Sequence, residues 1–131
     1  MNTTFNWYQE LIKPDWAPPA FLFGPVWSVL YLLIAISFGY IFYKIYKNEI
    51  PKYIAIPFVL NLFLNLIFSP IQFGLQNLTL ASINIILVLI TLIWFQISIF
   101  KYAKWVSFIN IPYLLWVSFA TVLQLTITFL N

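Results

Sequence analysis

Polar positions along this chain are sparse, and where they interrupt the apolar runs they fall to one side. Residues 61–74 read NLFLNLIFSPIQFG, an apolar ground broken by Asn61, Asn65, Ser69 and Gln72. At about 100° per residue these four fall within an arc of about 80° on one helix face, and Leu, Phe and Ile fill the others. A helix apolar on most sides with one narrow amide and hydroxyl stripe suits lipid. The stripe must then turn inward, toward partner helices or a ligand. Pro70 lies within the stripe and has no N–H to donate, so the carbonyl near Leu66 is left partly free and a bend is expected.

The same patterning predicts four spanning helices, at about residues 23–43, 53–74, 80–100 and 105–130. The third is the plainest, 21 residues without a charge, close to the roughly 20 that cross a hydrocarbon core. Pro25 fits the first turn of its helix, where a missing N–H costs little. Pro57 and Pro112 stand early in theirs. Residues 1–22 form an interfacial loop in which Trp7, Tyr8 and Trp16 suit the membrane boundary. No positively charged stretch precedes an apolar core there, so the loop does not read as a signal peptide. The expected fold is an all-α integral membrane protein, a single domain over residues 1–131.

Composition agrees: the chain is 63% hydrophobic and 7% charged, against roughly 25% charged residues in ordinary soluble domains. Six lysines face Glu10, Asp15 and Glu49, too few and too dispersed for a nucleic-acid surface. Their placement does carry information. Lys44, Lys47, Lys52, Lys101 and Lys104 follow the first and third spans, and Lys13 alone lies on the other side. By the positive-inside rule the two lysine-bearing loops are cytoplasmic and both termini are outside. The chain has no cysteine and no histidine. That removes thiolate chemistry, His-based triads and the usual nitrogen ligands for zinc or haem iron, so no metal site is expected.

Three further patterns are candidates. Gly24, Trp27, Tyr31 and Ala35 share a face, either as helix packing through small residues or as a ring wall for a flat ligand; spacing alone favours packing. Pro112, Trp116, Ala120 and Gln124 recur every four residues, again as a knob-and-hole contact or a shaped wall. Asn84, Thr91 and Ser98 share a face at heptad spacing, which predicts an interhelical hydrogen-bond seam.

Four motifs, WYQELIKPDWAPP (residues 7–19), FGPVWSVLYLL (23–33), LNLFLNLIFSPIQFGL (60–75) and PYLLWVSFATVL (112–123), together resemble the TspO/MBR family of tryptophan-rich sensory and translocator proteins. The resemblance implies a five-helix membrane bundle, often dimeric, that binds porphyrins and haem and in some members sterols or benzodiazepine-type ligands. By resemblance Trp27 and Trp116 are the pocket tryptophans and photochemical candidates, and Tyr8 is a loop tyrosine over the pocket. Asn65, Ser69 and Gln72 match its polar lining, with Asn61 one turn earlier, and Ala120 matches a small residue that shapes ligand access. The family's first helix precedes the segment matching Trp7. Only six residues stand there here: either that helix is absent or the start is cut or misassigned, and for a bundle without it the expectation is a gap covered in a homodimer. Asn84 stands where the family often has an aspartate. The sterol-linked Tyr-then-base pattern is missing from the end of the chain, which lowers the expectation of sterol binding.

The function expected is a membrane-embedded binding protein for tetrapyrroles, acting as sensor, carrier or scavenger. It needs no cofactor and takes porphyrin or haem as its ligand. Light-dependent porphyrin degradation ranks second, because acid–base catalysis lacks its usual groups. A small dimeric transporter of hydrophobic molecules ranks third, because no charge falls within a span.

Overall fold

The computed structural model describes residues 11–12, 14–17 and 23–131 of the chain. Helix α1 (Phe23–Tyr46) is followed by a 3₁₀ turn (Lys52–Ile54) that leads directly into α2 (Ala55–Ser69). A π-helical turn (Pro70–Gly74) precedes α3 (Leu78–Phe100), then a short α4 (Lys104–Ile109) and α5 (Ile111–Leu130). There is no strand among the described residues. Helices α1, α3 and α5 are long and apolar enough to cross a membrane; the apolar helical stretch Lys52–Phe68 is shorter.

Two of the expected spans are interrupted, each at a proline. The Pro70 nitrogen has no proton for the next α-type bond, and the backbone widens instead, with Leu75 N donating to the Pro70 carbonyl at 3.0 Å. Pro112 acts on the last span, which divides at Asn110 into α4 and α5. Asn110 takes φ −95° and ψ 5°, and its side-chain Nδ2 donates to the Val106 carbonyl at 2.8 Å. The side chain thus adds a donor to the backbone of the last turn before the break. At the other end of the bundle the Asn77 side chain caps α3 by accepting from Leu80 N at 2.9 Å.

Helix α3 is the centre, packed along α2 on one side and α5 on the other. Val88, Leu92, Phe95 and Ile99 on α3 enter one core with Phe58, Val106, Tyr113 and Val117. Helix α1 attaches differently. Its backbone stays apart from the other helices, and large rings fill the gap. Phe38 reaches Phe58 on α2 (5.9 Å between centroids), Tyr40 meets Trp105 on α4 (4.7 Å) and Trp27 meets Tyr113 on α5 (6.3 Å). Among the described residues, no neighbouring atom lies within 4 Å of where a Cβ would sit on Gly24 or Gly39. Among the described residues these two glycines of α1 therefore bring in no other backbone, and the packing reading of that face does not hold there for Gly24.

The lysine-bearing loops lie at one end, where Tyr53 and Tyr102 share a hydroxyl hydrogen bond of 3.1 Å. That bond raises the Tyr102 pKa above its ordinary value. Lys44 pairs with Glu49 in the first of these loops. At the opposite end the segment before α1 is tied to the end of α5: Asn131 Oδ1 accepts from Ile12 N and its Nδ2 donates to the Ile12 carbonyl. Trp16 there lies edge-on to Phe119, 5.7 Å away. Residues 1–10, Tyr8 and the question of a preceding helix included, lie outside the described residues.

Candidate functional site

The polar stripe of α2 meets the bundle at two amides. Asn61 and Asn65 are buried, at 5% and 7% exposure, and both bond to the hydroxyl of Tyr113 on α5. Asn65 Nδ2 donates to that oxygen at 2.8 Å, and the Tyr113 hydroxyl donates to Asn61 Oδ1 at 2.9 Å. On α3, Asn61 Nδ2 donates to the Val88 carbonyl at 2.9 Å and to Thr91 Oγ1 at 3.1 Å. From α1, the Tyr31 hydroxyl donates to Asn65 Oδ1 at 2.8 Å. One chain of hydrogen bonds therefore joins all four of the longest helices. These two amides find their partners within a single chain, so they need no second copy to cover them.

One backbone atom sets the direction of the whole chain. A carbonyl can only accept, so the amide nitrogen of Asn61 must face Val88 and its oxygen must face Tyr113. Tyr113 must then donate to Asn61 and accept from Asn65. The Asn65 oxygen is left facing α1, and Tyr31 must donate to it. Thr91 is consistent with this order, because its hydroxyl proton goes to the Leu87 carbonyl at 2.9 Å or the Val88 carbonyl at 3.1 Å.

Aromatic rings lie beside the network. Trp27 is 5.5 Å from the Tyr31 ring and 6.3 Å from the Tyr113 ring. Trp27 is half-buried, while Tyr31 is 39% exposed. Trp116 lies three residues beyond Tyr113 on α5, is half-buried against the same core and is 5.7 Å from Phe119. The two tryptophans thus flank Tyr113, Trp27 by ring contact and Trp116 by its place along α5. Ala120 is half-buried one turn further along α5. Ser69 ends α2 and Gln72 lies in the π turn; their side chains are outside the description.

Tyr31 and Tyr113 complete the site, and sequence patterning did not select them. Tyr31 was visible only as a member of the Trp27 face. Tyr113 is the most buried tyrosine of the site, at 2% exposure, and its one usable signal was its place three residues before Trp116. The expected seam on α3 is present at Thr91. Asn84 is buried with its Oδ1 lacking a partner among the described residues, as is Gln96 with its Oε1. No group of acidic residues that could hold a metal ion occurs among the described residues.

The sequence model of the TspO/MBR family matches residues 1–130. A tryptophan-rich protein TspO from Bacillus cereus is 42% identical over 129 residues, covering 96% of this chain and 81% of the relative. An uncharacterized membrane protein YtaB from Bacillus subtilis is 38% identical over 126 residues, with the same shares covered. The human translocator protein is 32% identical over 129 residues, covering 91% of this chain and 71% of the relative.

Proposed function

This chain belongs to the TspO/MBR family, and on that footing we propose that it is a membrane-embedded binding protein for porphyrins and other tetrapyrroles, acting as sensor, carrier or scavenger. That it is an integral membrane protein follows from the family and from its apolar helices. The observation that carries the ligand reading is the pairing of Trp27 and Tyr31 rings with a buried amide and phenol network. A porphyrin is a large flat π-system, and partly exposed rings offer it stacking area. Amides and hydroxyls then fix its orientation without a fixed charge.

The site is built from rings, amides and hydroxyls, with no carboxylate or ammonium in its hydrogen-bond chain among the described residues. Such a set suits binding better than acid–base catalysis. Light-dependent degradation of a bound porphyrin is the second reading, favoured by the flanking indoles of Trp27 and Trp116. The proposal extends to assembly and topology: a homodimer, with both termini outside and the lysine-bearing end cytoplasmic.

Titration of purified protein with protoporphyrin and with haem, followed by tryptophan quenching in the dark, tests the reading. With no histidine or cysteine to ligate iron, metal-free protoporphyrin should bind at least as tightly as haem. Trp116→Phe should keep most of the binding and slow any loss of porphyrin absorbance under illumination. Much tighter haem binding with a six-coordinate spectrum would defeat the stacking account, and no binding of either would defeat the ligand class.

A further inference from the structure

The fixed direction of the hydrogen-bond chain has a consequence at its outer end. The Val88 carbonyl, relayed through Asn61, Tyr113 and Asn65, obliges the Tyr31 hydroxyl to spend its one proton inward. No other donor among the described residues reaches the Tyr31 oxygen. Tyr31 is 39% exposed and its ring lies against Trp27. The phenol oxygen of this half-exposed residue therefore keeps an unused lone pair and can only accept, next to the ring on which a flat ligand would stack.

We infer that Tyr31 is a specificity-determining residue, selecting flat aromatic ligands that present an N–H or O–H donor at their edge and rejecting those of the same shape that present only an acceptor. The inference rests on the reading of the Trp27 face as a ligand site. Its physical basis is an asymmetry between made and unmade hydrogen bonds. A donor edge gains a bond to the open lone pair. An acceptor edge faces an oxygen with no proton to give, and loses its own hydration without return. A tyrosine at the surface would simply rotate its hydroxyl to suit either ligand. Tyr31 does so only by abandoning Asn65, which leaves a buried amide oxygen without its donor.

Carbazole and dibenzofuran form a suitable probe pair, because they share one planar outline and differ only in an N–H against an ether oxygen. Both are titrated into the full chain in detergent micelles by calorimetry, for the wild type, Tyr31→Phe and Asn65→Leu. Dividing the affinity ratio in the wild type by that in a variant removes their different partitioning into the micelle. The wild-type ratio should favour carbazole by roughly three- to ten-fold over the Tyr31→Phe ratio, the effect of one net hydrogen bond. Asn65→Leu frees the Tyr31 proton to turn outward, so its ratio should also fall toward that of Tyr31→Phe while the phenol remains. An unchanged ratio in both variants, or no saturable binding of either probe, overturns the inference. Protoporphyrin is titrated on the same preparations. If it binds while the probes are not distinguished, the donor selection alone is wrong. If the probes are distinguished and protoporphyrin does not bind, the donor selection stands and the tetrapyrrole reading falls.

Discussion

Replacing Tyr113 with phenylalanine keeps the ring, and so its edge-on contact with Trp27, and removes a single oxygen. That oxygen makes two hydrogen bonds, of 2.8 and 2.9 Å. Its loss leaves Asn65 Nδ2 and Asn61 Oδ1 without that partner, in side chains 7% and 5% exposed. A buried polar atom left unpaired costs about 1–3 kcal/mol, so two would cost roughly 2–6 kcal/mol. Interhelical hydrogen bonds in membranes average about 0.6 kcal/mol each, which sets a floor of roughly 1.2 kcal/mol for two. The central expectation is a destabilisation of about 2–4 kcal/mol. Tyr31→Phe leaves one such atom, Asn65 Oδ1, without its donor and should cost about half as much, roughly 1–2 kcal/mol. Reversible unfolding in mixed micelles at rising dodecyl sulfate fraction, followed by circular dichroism, gives both numbers. If Tyr113→Phe costs no more than Tyr31→Phe, the Tyr113 oxygen is not the junction of the network and the reasoning is wrong.

Three other outcomes are expected. Ala120→Leu adds bulk one turn beyond Trp116 and should weaken protoporphyrin binding by about 1–3 kcal/mol with little change in the melting temperature; normal binding would place the ligand on another face of α5. Gln76 holds φ 52° in the turn before α3, so Gln76→Gly should raise stability by about 1 kcal/mol in the same unfolding assay, and a destabilised variant would show that the side chain contributes more than its strain. Reporters fused after Lys47 and after Lys101 should both read cytoplasmic and a C-terminal fusion external; a cytoplasmic C-terminus would reverse the topology drawn from the lysines.

The site was legible in the sequence to the extent that helical periodicity determines it. The spacing of Asn61 and Asn65 put both amides on one inward face, and in the structure both are buried. Periodicity names a face and not its partners, so Tyr113 went unselected although it binds both amides. The prolines behaved likewise. Pro70 and Pro112 announced disturbed helices, but whether the backbone would widen into a π turn or break at Asn110 depends on which side chains stand near the freed carbonyls. Gly24 misled for a related reason: a small residue permits a close approach without requiring one, and α1 is held off by Phe38, Tyr40 and Trp27 instead.

The atom that orders the network has a bearing on how the protein tolerates mutation. Val88 contributes through its main-chain carbonyl, which every amino acid at that position would supply. The sense in which protons point along the chain therefore starts from the path of α3 itself, and it reaches Tyr31 only while Asn61, Tyr113 and Asn65 each pass it on. A substitution at Val88 would thus leave the polarity intact, whereas one codon changed at Asn61, Tyr113 or Asn65 would release every hydroxyl beyond it.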